Sequence, residues 1–452
     1  MDAAELDRRA LAHDGWIPPH LVSWLVDHGH ADEVERQARS GDWFCAQAWV
    51  RILVEEDRRD EALEVLGPYL ATGWWEAAHR VAELLEGWGR VDEAIAVFRA
   101  NMRPDGRRAL KYFALLLARN GRGDEAFGLL LPHLDDWFLA DALVEASAGL
   151  GRDEELASLL AARVEAGREG EWPDRGGRST RPGNAVDLLA TVRERQGRVD
   201  EAIALLRTRQ ITSVNGRDQL ADLLARHDRI EELREYAATD PLGDAAQCLA
   251  EYLEQRGDVA GAIDVYRTLA PEDMPHTAVL LSQLLARHGR GDEAIELLSS
   301  LPSAAGGDED WVVGTLCTLY IEQGRAEDGL AHLDGLKARV GGESDAEASE
   351  FFRLRTKLLV ACGRREQAIE EARARPGSAG WYEARNLARL LSDAGRPEEA
   401  VAVLDPAVPA NRKALAAHLM AAGRIEDSVA LFRDPVEEAE PLRTRIWPAA
   451  AP

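Results

Sequence analysis

Apolar residues recur along this chain at helical spacing, in short stretches that each end on a turn signal followed by an acidic pair. In Ala109-Leu110-Lys111-Tyr112-Phe113-Ala114-Leu115-Leu116-Leu117-Ala118-Arg119 the apolar side chains share one broad helical face. Gly121 follows, and glycine readily supplies the left-handed conformation that ends a helix. Asp124 and Glu125 then stand in the first turn of a second helix, where carboxylates complement free backbone N–H groups and the positive dipole end. Ala126, Leu129 and Leu130 give that helix its apolar side. The spacing predicts two short helices joined by a glycine turn, with Pro132 ending the second. Similar stops are expected at Pro68, Pro302, Pro376, Pro406 and Pro435.

The turn phrase occurs thirteen times: a glycine, usually an arginine, one variable residue, an acidic pair and a small residue. Its first residues fall at 29, 57, 89, 121, 151, 197, 228, 257, 289, 324, 363, 395 and 423, with Asp57 and Asp228 in place of glycine, and most intervals are 28 to 35 residues. Such a period marks a stacked helical array. It also explains how 452 residues without a composition shift bury their apolar surface, because each unit covers the next. Seven residues before the turn a small side chain recurs, as in Ala82, Ala114, Ala190, Ala221, Ala250, Ser282, Cys317, Ala388 and Ala416. Five residues after it another does, as in Ala62, Ala94, Ala126, Ala202, Ala262, Ala294, Ala368 and Ala400. Small residues at fixed points on both helices let the two backbones approach closely.

With this spacing the chain resembles the tetratricopeptide repeat family over roughly residues 15–433. The family's Trp near the start of the first helix and its Tyr near the end are mostly replaced here, the latter by leucine. The resemblance implies an all-α, right-handed α-solenoid of about 13 helix-turn-helix repeats over residues 1–433. It leaves a Gly/Arg-rich loop at 167–183, which carries Trp172, and a Pro-rich tail at 434–452. A smaller insertion lies near Gly341-Gly342-Glu343-Ser344-Asp345. Pentatricopeptide repeats share the turn flavour, but the acidity and variable unit length count against RNA binding.

In tetratricopeptide arrays the first helices line a concave groove, with exposed positions 13, 10, 6, 3 and 2 residues before the turn glycine. Carried onto this chain, those positions hold Lys111, Asp141, Glu145, Asp187, Asp218, Asp222, Asp244 and Glu251, then Arg353, Lys357, Arg385, Arg389 and Lys413, the last with Arg412 beside it. The resemblance thus implies a charged-peptide groove with an acidic middle and a basic end. Three of the four lysines fall at such positions, the exception being Lys337. A basic end would capture an acidic segment, as the carboxylate clamps of some tetratricopeptide domains do, and Glu437-Glu438-Ala439-Glu440 in the tail is an internal candidate.

Composition adds limits. A net charge of −26 repels phosphate backbones. With 46% hydrophobic and 30% charged residues the chain is an ordinary folded protein, and its preference for arginine over lysine fits a bacterial coding bias. Met1-Asp2-Ala3-Ala4-Glu5 lacks the features of a signal peptide, and no apolar run approaches a membrane span, so a cytoplasmic location without membrane contact is expected. Cys45, Cys248, Cys317 and Cys362 are far apart and form no zinc or disulfide pattern.

Motifs that look chemical have plainer readings. Gly121-Arg122-Gly123-Asp124-Glu125-Ala126 and Gly289-Arg290-Gly291-Asp292-Glu293-Ala294 fit a dinucleotide fingerprint in form only, because no strand precedes them and their carboxylates would repel a pyrophosphate. Asp27-His28-Gly29-His30-Ala31-Asp32 gathers metal-ligand types, yet His227 and His288 occupy the same pre-turn place, where a histidine suits the helix C-terminus. Trp43, Trp74, Trp137, Trp311 and Trp381 open first helices, where stacking between repeats is expected; an aromatic surface in the N-terminal half is the alternative. The expectation is a non-catalytic protein- or peptide-binding scaffold or adaptor with no cofactor, metal or nucleic-acid partner. The alternative is a sensor of a small peptide or metabolite that changes superhelix shape on binding.

Overall fold

The computed structural model describes residues 2–12, 15–101, 106–168, 182–209, 213–214, 217–240, 243–268, 275–302, 307, 309–340, 345–375 and 380–432. Among them are twenty-seven α-helices, short 3-10 turns, and one two-residue antiparallel pair, Ser213–Val214 with Arg217–Asp218. The fold is an all-α solenoid of helical hairpins. Most of the 167–183 loop, the core of the 341–345 insertion, Pro376, Pro435 and the 434–452 tail lie outside the described residues.

All thirteen predicted turn residues adopt left-handed backbone, with φ from 54° to 82°. The closing bonds repeat as well. The Gly89 N–H donates to the Glu86 carbonyl at 2.9 Å, and the next N–H, of Arg90, reaches back to Leu85 at 2.8 Å. The same pair of bonds, which satisfies the last carbonyls of the first helix, recurs at Asp57, Gly121, Gly257, Gly395 and others. Asp57 and Asp228 hold the conformation at φ 59° and 54°, which aspartate tolerates better than most residues because its short polar side chain bonds locally.

The chain divides into two compact units, Met1–Met102 with Arg365–Pro452, and Arg103–Arg364. The N-terminal part of the first unit is held by rings. Trp16, Trp43 and Trp74 are at most 3% exposed; the Trp43 ring lies 4.7 Å from Trp74 and 4.9 Å from Tyr69, and Trp16 lies 6.2 Å from Trp74. Two of these indoles have polar partners: Trp16 donates to the Gly41 carbonyl and Trp74 to the Asp7 carboxylate, at 3.1 and 2.6 Å. Asp42 caps helix Trp43–Glu55 by accepting the Cys45 N–H at 2.9 Å, and its second oxygen takes the Ile17 N–H at 2.6 Å. The expectation of stacking thus holds for Trp43 and Trp74. It fails for Trp137, Trp311 and Trp381, which are 42 to 48% exposed, and the N-terminal aromatics named above form a core, not a binding surface.

In the second unit the small positions do the work expected of them. Ala114, Ala190, Ala221, Ala250, Ser282 and Cys317 are all buried, as are Ala126, Ala202, Ala262 and Ala294 on the second helices. First helices contact the next first helix, and second helices fill the spaces behind, as with Arg107–Arg119, Trp137–Ala146 and Gly123–Leu130. The doubled glycines also prove to be packing devices. A Cβ on residue 123 would sit 2.3 Å from Leu150 Cδ2, and one on residue 291 would sit 2.1 Å from the Gln323 amide carbon.

Two stops differ from expectation. Pro68 lies inside helix Arg59–Leu70, two residues before its end, so the helix forgoes the one bond that a proline cannot donate and stops soon after. Pro132 sits in a 3-10 turn, Leu131–His133, that continues directly from helix Gly123–Leu130.

Candidate functional site

The most repeated polar residues serve the stack itself. The arginine after most turns grips the acid three residues on in its own hairpin, as Arg90 does Glu93 and Arg396 does Glu399, at 2.7 and 2.6 Å. It also reaches the acidic residue three past the preceding turn. Arg229–Asp200, Arg325–Asp292, Arg364–Glu327 and Arg152–Asp124 close at 2.7, 2.8, 3.3 and 3.5 Å in the second unit, and Arg396–Glu366 at 3.2 Å in the first. The turn phrase is therefore a ladder of ion pairs from hairpin to hairpin. Each exposed rung contributes little alone, and linked charges contribute more than isolated ones.

A second device was missed in the sequence. Glu194 accepts from Arg226 at 2.9 Å and from His227 at 2.9 Å; one repeat-pair further on, Glu254 accepts from Arg287 at 2.9 Å and from His288 at 2.8 Å. His227 and His288 thus answer a carboxylate on the preceding hairpin as well as sitting at a helix end. Partial burial raises the Glu194 pKa, but the hydrogen bonds from Arg226 and His227 outweigh it and hold the carboxyl below its usual range. The legible signal was an Arg-His pair, repeated, following a glutamate three residues before the previous turn. His28 has a different use: its Nδ1 lies 2.9 Å from the Trp24 carbonyl, and its ring stacks on Trp24 at 4.0 Å.

The candidate binding residues divide into those spent on the stack and those left on the first-helix face. In the second unit Lys111 pairs with Asp141 at 3.2 Å, with its ammonium 4.9 Å from the centre of the Phe138 ring. Asp187 is half-buried against Arg209; burial pushes its pKa up even though that guanidinium pulls it down. Asp222 accepts the Cys248 thiol at 3.7 Å, and burial with the Asp222 charge pushes that thiol up to about 12. Asp244 is the half-buried first residue of helix Asp244–Gln255. Glu145 and Glu251 are exposed, the latter accepting from Gln247 at 2.9 Å. Arg353 pairs with Glu350, and Lys357 stands exposed one turn on.

Asp218 requires a correction. It is 3% exposed, accepts the Ala221 N–H at 2.9 Å and takes the Tyr236 hydroxyl at 2.7 Å, so it offers no carboxylate to a partner. Counting back ten residues from the turn reached past the end of an unusually short first helix, Gln219–Arg226, and landed on its cap.

In the first unit, helix Trp381–Asp393 packs beside helix Arg412–Ala421. Trp381 and Tyr382 are 48% and 44% exposed and meet edge to face at 5.8 Å, with the Arg385 guanidinium 5.8 Å from the Trp381 ring centre. Arg389 lies one turn on, 3.4 Å from Asp393 and 3.1 Å from the Asn386 side-chain oxygen. Lys413 is exposed and Arg412 half-buried. The His20 pKa is lowered, first by partial burial and then by the nearby Lys413 charge. The two neighbouring first helices thus carry exposed cationic and aromatic groups on a protein of net charge −26. Among the described residues no helix is long and apolar enough to cross a membrane.

The chain matches no protein-family model and no curated protein. Among solved structures it is similar to a chain in the structure of Naa15/Naa10 bound to HypK-THB, at 15% identity and TM-score 0.33, covering 86% of this chain and 68% of that one. It is also similar to a chain in the crystal structure of the APC/C hetero-tetramer Cut9-Hcn1, at 11% identity and TM-score 0.26, covering 86% and 93%. The solenoid assignment rests on the hairpins themselves.

Proposed function

We propose that this protein is a non-catalytic, tetratricopeptide-like scaffold that holds a protein or peptide segment on its exposed first-helix face, and that the patch around Arg385 selects acidic segments. The observation that supports this reading is the division of labour among charged groups. Most charges on the turn side are consumed by the ladder, whereas Trp381, Tyr382, Arg385 and Lys413 project from two adjacent first helices with much of their surface open to solvent. Exposed aromatic rings beside guanidinium groups are the residue types that dominate protein recognition energetics. An acidic partner would exchange hydration for charge-assisted hydrogen bonds with these groups.

The test uses a fluorescent peptide rich in Glu and Asp, its Lys/Arg counterpart, and anisotropy on the full chain. The wild type should bind the acidic peptide, and Arg385→Glu/Arg389→Glu should weaken it at least about tenfold, the loss of roughly one or two charged contacts, with helicity unchanged. Equal binding of both peptides, or equal binding by the variant, rules the patch out.

A further inference from the structure

The hairpin Asp244–Gln255/Val259–Thr268 interrupts the ladder on both sides. Where other hairpins carry arginine after the turn it carries Asp258, and where they carry an acid three residues past the turn it carries Ala260. Asp258 is turned onto its own hairpin, accepting the Gly261 N–H at 2.9 Å. A Cβ on residue 261 would lie 2.3 Å from that carboxylate, so glycine replaces the usual acid to admit it. Among the described residues Arg290, which follows the next turn, pairs with its own Glu293 alone, and the second helices meet through a long Arg267–Glu293 contact of 3.9 Å.

This hairpin is fastened elsewhere, at the C-terminal end of its first helix. On one side Tyr252 donates its hydroxyl to Asp228 at 2.5 Å, and Arg256, whose guanidinium lies 4.8 Å from the centre of the Tyr252 ring, pairs with the same carboxylate oxygen. Asp228 is the left-handed turn residue of the preceding hairpin, where eleven of the thirteen turns have glycine. Glycine there would ease the backbone but could not make this strap. On the other side Glu254 is gripped by Arg287 and His288.

We infer that this hairpin is the joint of the second unit, the place where neighbouring hairpins reorient most readily, and that Asp228 is the strap that closes it. On this face the carboxylate on the turn stands where a rung stands elsewhere, with the Cys248–Asp222 contact as another side-chain hydrogen bond between the same two first helices.

Hydrogen exchange followed by mass spectrometry on the full chain tests this. Asp228→Gly keeps the left-handed turn and removes the carboxylate; amides of residues 219–237 and 244–268 should exchange at least about threefold faster, the loss of one net hydrogen bond or more, while residues 310–336 stay unchanged. Asp228→Asn, which keeps an acceptor for Tyr252, should fall between the two. Ala260→Asp completes a rung to Arg290 and should slow exchange across residues 244–299. If Asp228→Gly slows exchange or leaves it unchanged, relief of backbone strain is the whole effect and there is no strap. If Ala260→Asp exchanges as fast as wild type, the missing rung is not what frees the hairpin.

Discussion

Two stretches built on the same period are held together by different chemistry. Between residues 16 and 98 the hairpins interlock through rings, with Trp16, Trp43, Tyr69 and Trp74 in contact and Asp42 buried beside them. Between residues 182 and 299 the buried layer is mostly leucine and alanine, and specificity of stacking comes from charged groups at the edges, Glu194 with Arg226 and Glu254 with Arg287. The turn phrase is common to both. It fixes where the chain reverses but leaves the adhesive open, because the left-handed turn constrains the backbone and not the surfaces that meet.

Two carboxylates, one in each stretch, respond to pH with opposite sign. Burial holds the Asp42 carboxyl above its usual range, the N–H bonds from Cys45 and Ile17 notwithstanding. Its contribution to stability is therefore fully present below the unfolded carboxylate value of about 4 and is lost as pH rises through the raised folded value. For Glu254 the hydrogen bond from Arg287, followed by that from His288, overcomes burial and lowers the pKa. Its contribution is present above about 4 and is lost as pH falls through the lowered folded value.

The contrast can be broken most decisively at Trp74. Trp74→Ala should cost about 3–5 kcal/mol and unfold the N-terminal stretch ahead of the rest in a denaturant titration followed by tryptophan fluorescence; a loss under about 1 kcal/mol would mean that the rings are not its adhesive. Asp42→Ala should cost about 1–3 kcal/mol, since it strands two buried N–H groups. Asp42→Asn, which keeps acceptor capacity without the ionisation, should flatten the fall in stability above pH about 4, and a slope identical to wild type would refute the burial argument. Glu254→Ala is a smaller change, about 0.5–1 kcal/mol, read as faster exchange in residues 275–299 and as loss of the acid-side slope. Smallest is Arg90→Ala. Its partner Glu93 is exposed, so the melting temperature should not move measurably in 0.15 M salt, and a clear drop would give single rungs more weight than the ladder reading allows.

How far the sequence could be read follows from the range of each interaction. Turns were legible to the residue because a left-handed φ is a local demand, met by glycine or by Asp57 and Asp228. The small positions were legible for a similar reason, as periodic sites where a larger side chain cannot fit. Charged positions were not, since their fate depends on partners some 30 residues away: Lys111 is taken by Asp141, and Glu194 by Arg226. Asp218 failed through helix length, because a fixed count from the turn assumes a first helix of standard size. Trp43 and Trp381 open first helices alike, yet one is 3% exposed and the other 48%: Tyr69 and Trp74, which follow it in the chain, close over the Trp43 ring.

The ladder has a bearing on how such a chain could grow. Arg198 bonds Glu154, and Arg229 bonds Asp200, through equivalent positions on successive hairpins. If one whole period were excised, the arginine that follows would meet an acid in the same place, and if one were duplicated, the copy would bring its own. Unequal recombination could therefore change the number of hairpins without inventing a new contact. The Asp258–Ala260–Gly261 hairpin is outside this economy: a neighbour exchanged there would arrive with a rung that has nothing to hold.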